Sequence, residues 1–205
     1  MNKTTNFFGT TITRLIIGDN PFTGHSYIEE KVPGTEMRDY YTSRKIYETL
    51  FKIEESGINC MLPLADPFNI RMIREYQRDG GKMKFIFQAY MPMNQEVSIR
   101  QMAEVEPIGV YHQGTTTDYC FEKNQVDAIK ANIKLYKTMG IPVGVGTHRP
   151  DVIEACERED WGADFYLTCL HNTRKDREGE QSGFLTGKTK AKFKFWAEDR
   201  PIMLE

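Results

Sequence analysis

No apolar run in the 205 residues approaches the ~20 needed to span a bilayer. The N-terminal stretch MNKTTNFFGTTITR also lacks the apolar centre of a secretion signal. Charge of one sign is missing as well. The 27 Lys plus Arg nearly balance 29 Asp plus Glu, so nothing suggests a nucleic-acid or polyanion partner. Lysines gather only at Lys188, Lys190, Lys192 and Lys194, which reads as a solvated face. The four cysteines, Cys60, Cys120, Cys156 and Cys169, have neither metal-binding nor redox spacing and read as reduced, mostly buried thiols. These absences predict a soluble cytoplasmic protein with no membrane and no nucleic-acid partner. A glycine-rich dinucleotide fingerprint is missing too, because Gly18-Asp19-Asn20-Pro21 is not GxGxxG.

What is present is an alternation. The stretch 142–156, PVGVGTHRPDVIEAC, reads as a buried strand, a polar turn and a helix opening at Pro150. The same unit recurs along the chain. Strands are predicted at 11–18, 58–64, 84–90, 108–112, 142–146 and 163–170. Helices are predicted from Ser43 to Gly57, after Asp66-Pro67, over 98–105, over 126–139 and from Pro150. Short, near-continuously apolar strands separated by helices predict a parallel sheet buried on both faces. With no dinucleotide fingerprint, a TIM-barrel-like (β/α) fold is favoured over an open doubly wound sheet. About six βα units are legible, so residues 1–205 read as a single incomplete barrel domain, cut short of eight. It carries a long connection at 20–42 and a polar loop at 172–187. Open strands at both ends of such a sheet need cover, from the segment Lys188–Trp196 or from a second copy of the chain.

The segments RLIIGDNPF, ESGINCMLPLADPFN, GVYHQG and GVGTHRPDVIEA resemble a little-characterised family of bacterial (β/α)8 proteins, themselves distantly similar to aldo-keto reductases. The resemblance spans about residues 12–172 and implies the barrel fold. Gly57-Ile58-Asn59 matches the turn before the second strand of those reductases, and His112 matches their fourth-strand histidine. Their catalytic aspartate, tyrosine and lysine positions read Leu62, Phe68 and Gln88. Without a tyrosine and its lysine there is no phenolic acid to protonate a carbonyl, so the resemblance implies the fold and argues against reductase chemistry. Tight NAD(P)H binding is not expected.

All four histidines, His25, His112, His148 and His171, fall just past predicted strand ends. Barrel active sites are built at that face. Asp19 and Asn20 share it from the first strand, and Gln88 and Tyr90 from the third. Thr147, His148 and Arg149 precede a helix N-terminus, where free N–H groups and a guanidinium suit an anion, and Arg174 offers a second cation. The candidate catalytic set is therefore His112, His148, His171 and Asp19, with His112 at its centre. The candidate substrate-binding set is Asn20, His25, Gln88, Tyr90, Thr147, Arg149 and Arg174. Imidazoles titrating near neutrality suit an isomerase, epimerase or aldolase-type lyase that moves a proton on a small polyhydroxylated or anionic carbonyl compound. A divalent metal held by Asp19 and two histidines is compatible with the same residues, although no HxH or HExxH spacing specifies one. The alternatives are an aldo-keto-reductase-like oxidoreductase and a non-catalytic ligand-binding protein.

Overall fold

A computed structural model of the chain describes residues 2–26, 31–170, 199–202 and 204. The fold is α/β, and its larger sheet has six strands whose spatial order follows the chain. The chain divides into two compact units, Met1–Val110 and Tyr111–Glu205. Among the described residues no helix is long and apolar enough to cross a membrane.

The first unit opens with an antiparallel hairpin, β1 (Thr4–Phe7) and β2 (Thr10–Thr13). Its two-residue turn places Phe8 at φ 46° and Gly9 at φ 88°. Left-handed values at both turn positions match the right-handed twist of paired strands. The sequence pattern merges β2 with the following strand, because a phenylalanine in the left-handed region carries no turn signal. The hairpin is tied down by Asn59, whose side chain accepts from the Thr13 N–H at 2.7 Å and donates to the Thr11 carbonyl at 3.2 Å. Phe7 lies against Gly109, where a β-carbon would stand 3.0 Å from the Phe7 ring.

The parallel strands begin with β3 (Ile17–Gly18), paired to β4 (Cys60–Leu62), which is paired to β5 (Lys84–Ala89). The 20–42 connection carries two short helices, α1 (Asn20–Thr23) and α2 (Gly34–Tyr40). Helix α3 (Ser43–Glu55) is capped by Thr42, buries Ile46 and Leu50, and is followed by Gly57 at φ 86°. Burying one such aliphatic side chain contributes about 1.5–3 kcal/mol. Helix α4 (Pro67–Arg78) begins as Asp-Pro predicts: the Asp66 side chain accepts from the Asn69 N–H at 2.9 Å and proline fills the first turn. Helix α5 (Gln95–Ala103) is capped by Asn94. Strand β6 (Gly109–His112) follows and straddles the division between the units.

In the second unit, Gly114–Glu122 forms a helix, α6, where the sequence predicts a polar loop. Gln113 caps it by accepting from the Thr116 N–H at 3.0 Å, and the three threonines Thr115 to Thr117 are buried with Asp118. Tertiary burial overrides the low helix propensity of threonine there. Helix α7 (Val126–Lys137) buries Ile129, Ile133 and Tyr136. Strand β7 (Val143–Thr147) then pairs in parallel with β8 (Phe165–Thr168), and helix α8 (Pro150–Arg158) connects them. Alternation along β7 sends Val143, Val145 and Thr147 to one face and Gly144 and Gly146 to the other. A β-carbon at Gly144 would stand 2.5 Å from the Phe165 ring, and one at Gly146 would stand 3.0 Å from the Tyr111 ring. Glycines therefore make room for two aromatic rings lying across the sheet. A last short helix, α9, spans Asp199–Ile202.

Candidate functional site

The polar cluster of the second unit forms where β7 and β8 end. Thr147 closes β7, and its hydroxyl donates to Oδ1 of Asp118 on α6. Asp118 Oδ2 in turn accepts from the His148 backbone N–H at 3.2 Å and from His148 Nδ1 at 2.7 Å. Both partners are largely shielded, His148 keeping 17% and Asp118 13% of its side-chain surface. The register pairs Thr147 with Thr168, and the ladder runs one step further, from the Cys169 N–H to the Thr147 carbonyl at 3.2 Å. His148 and Cys169 therefore leave neighbouring strands side by side, about 4.8 Å apart at the backbone. Burial depresses the His148 pKa most strongly among single influences. The hydrogen bond and charge of Asp118, with those of the Cys169 sulfur, outweigh it and raise the pKa to about 10. The ring is thus a cation at neutral pH, with Nδ1–H directed at a carboxylate. Such a group is a hydrogen-bond and proton donor to a developing oxyanion.

Arg149 is engaged by carboxylates of the chain itself. Its Nε and Nη2 donate to both Asp151 oxygens at 3.0 and 2.8 Å, and its Nη1 donates to Glu122 at 2.8 Å. The guanidinium also lies 5.3 Å above the Phe121 ring. The start of α8 is already supplied with an acid by Asp151 in its first turn. Thr147 is 1% exposed, and its hydroxyl accepts from the Arg149 N–H at 3.1 Å.

His112 does not stand at a ligand-facing strand end. It is 0% exposed, with Nδ1 2.8 Å from Thr117 Oγ1 on α6 and Nε2 3.4 Å from Asn132 Nδ2 on α7. A neutral ring protonated on Nδ1 satisfies both contacts. Burial lowers its pKa to about 4, so it stays neutral through the physiological range. The strand-four histidine is therefore a core residue joining β6 to two helices. A side chain without exposed surface does not form the concavity that strand-end position predicts for it with His148.

The first unit holds a second cluster at the ends of β3, β4 and β5. Asp19, 2% exposed, accepts from the Leu64 N–H at 2.8 Å, from Asn69 Nδ2 at 2.9 Å and from Gln88 Nε2 at 3.3 Å. Desolvation raises its pKa, and the Leu64 and Asn69 hydrogen bonds partly restrain the rise. Asn69 Nδ2 also donates to Asp66 Oδ2 at 3.0 Å, and Gln88 Nε2 to the Leu62 carbonyl at 2.9 Å. Here Asp19 clamps three consecutive strand ends. Asn20 opens α1, and its carbonyl accepts from the His25 N–H at 2.9 Å. His25 is exposed, 2.7 Å from Thr23 Oγ1, and its charge partly offsets the burial that raises the Asp66 pKa. Tyr90 is half-buried, and its carbonyl accepts from Gln95 Nε2 at 3.0 Å.

His171, Arg174, the 172–187 loop and the Lys188–Trp196 segment lie outside the described residues. Sequence reasoning missed Asp118, hidden in a stretch that reads as a loop, and Cys169, whose place beside His148 follows only from the β7–β8 register. Among the described residues, no group of three His, Cys, Asp or Glu side chains is placed to hold a metal ion. Neither a scan against protein-family models nor a search of curated proteins finds a match to this chain.

Proposed function

We propose that the chain is an enzyme of TIM-barrel-like (β/α) type that moves a proton on a small polyhydroxylated carbonyl compound, in an isomerase, epimerase or aldolase-type reaction, with His148 as its acid. The hydrogen bond from His148 Nδ1 to Asp118 at 2.7 Å, just past the end of β7, carries this reading. A ring held there by a carboxylate stays charged and keeps one orientation, as a donor to a carbonyl oxygen must. When the carbonyl oxygen accepts a hydrogen bond from the imidazolium, the adjacent C–H becomes acidic and gives its proton to solvent water, and the enediolate that forms keeps its negative end against the ring. Thr147 holds Asp118 in place by donating to its other oxygen. The engagement of Arg149 by Asp151 and Glu122 favours an uncharged polyhydroxylated substrate over an anionic one. On the fold side, the support is a six-stranded sheet whose order follows the chain, with the polar cluster at the ends of its strands. Strands β3 and β8 end that order, and we take their cover to be a chain segment or a second copy.

The test is solvent exchange. Hydroxyaldehydes, hydroxyketones and sugar acids are incubated in deuterium oxide with the protein, and loss of the α-proton signal is followed by NMR. Wild type should exchange at least one uncharged hydroxycarbonyl compound, and His148→Gln should slow it by about 100-fold or more. No exchange above the buffer rate with any member of the panel overturns the reading. A saturable thermal shift without exchange would favour the ligand-binding alternative.

A further inference from the structure

We propose that Cys169 is a second reactive group in this site, a nucleophilic thiol that adds to the carbonyl carbon of small aldehydes, with His148 as its proton partner and Asp118 orienting His148. The substrate class rests on the proton-transfer reading above; the nucleophile does not.

Three observations place the thiol. The β7–β8 register and the Cys169 N–H bond to Thr147 set Cys169 beside His148. The Cys169 side chain hydrogen-bonds the His148 ring. Asp118 holds Nδ1 of that ring at 2.7 Å and fixes its orientation. Nucleophile, imidazolium and orienting carboxylate in a row set a positive charge and a proton donor beside the sulfur, an arrangement that activates a cysteine. The other three cysteines are unlike it. Cys60, Cys120 and Cys156 are buried. Cys169 alone among the four is half-exposed.

The step balances without an oxidant or a leaving group. Sulfur attacks the carbonyl carbon and forms a C–S bond while the C=O π electrons move to oxygen. The imidazolium gives one proton to that oxygen and takes up the proton released by the thiol, giving a hemithioacetal that reverts by the same path.

The test is alkylation of the intact wild-type protein by iodoacetamide at pH 7, with each cysteine followed by peptide mass spectrometry. Cys169 should react at least about tenfold faster than glutathione under the same conditions. Glycolaldehyde should slow the labelling reversibly, and His148→Gln should lower the rate by about tenfold. Reaction no faster than glutathione, no protection by glycolaldehyde, or an unchanged rate in a His148→Gln protein that still melts cooperatively overturns the proposal. The two readings separate cleanly. Slow, unselective alkylation of Cys169 in a protein that exchanges substrate protons removes the nucleophile and leaves the proton-transfer function. Rapid, His148-dependent alkylation of a protein that exchanges no substrate proton leaves the nucleophile and removes the function.

Discussion

Nδ1 of His148 lies 2.7 Å from Oδ2 of Asp118, and the other oxygen of that carboxylate is held by the Thr147 hydroxyl. The carboxylate is thereby fixed from two sides before it meets the ring. His148 is charged where most histidines have begun to lose their proton, and this has consequences for stability as well as for chemistry.

Stability should fall at alkaline pH through His148. Its folded pKa, about 10, lies above the ordinary 6.5. The stabilisation is therefore complete below 6.5 and is lost as pH rises towards 10. Each tenfold gain in proton affinity on folding corresponds to about 1.4 kcal/mol, so the loss amounts to a few kcal/mol. Urea titrations from pH 6 to 10 should show this decline in wild type and a flatter profile in His148→Gln.

His112 should act in the opposite direction. Its folded pKa, about 4, lies below the ordinary 6.5, so the unfolded chain binds the proton more readily. The stability this neutral ring contributes is present above 6.5 and is lost as pH falls from 6.5 towards 4. His112→Gln should flatten that acid limb in the same titrations and leave substrate exchange within about threefold of wild type, since the buried ring hydrogen-bonds Thr117 and Asn132.

Asp19→Ala should destabilise the first unit by about 2–3 kcal/mol, because the buried Leu64 N–H loses its acceptor and Gln88 and Asn69 each lose one partner. Equilibrium denaturation checks this. A change below about 0.5 kcal/mol would contradict the clamp role.

Gly144→Ala should cost about 1–3 kcal/mol, since the new β-carbon would meet the Phe165 ring at 2.5 Å. Combining it with Phe165→Leu should recover part of the loss, a coupling that a double-mutant cycle measures directly.

Much of the architecture was legible because its signals are local. Asp66-Pro67 announces a helix start, Gly57 a helix stop, and the short apolar runs announce buried strands. The hairpin was hidden because its turn rests on a phenylalanine with left-handed backbone, and α6 because buried threonines resemble a polar loop. Strand-end position singles out His148 and His112 alike, but a strand's last residue can face either layer. Only the contacts with α6 and α7 place His112 in the core. Arg149 looked available because Asp151 and Glu122 lie in separate segments whose meeting depends on how α6 and α8 pack. Cys169 carries no motif at all, and its relation to His148 is long-range register.

The most direct test is the charge on His148 itself. In protein labelled with nitrogen-15 at histidine, the His148 ring nitrogens should report a doubly protonated imidazolium through pH 8, and Asp118→Asn should move its titration to lower pH. A His148 ring that titrates at or below 6.5 in the folded wild-type protein would contradict the account.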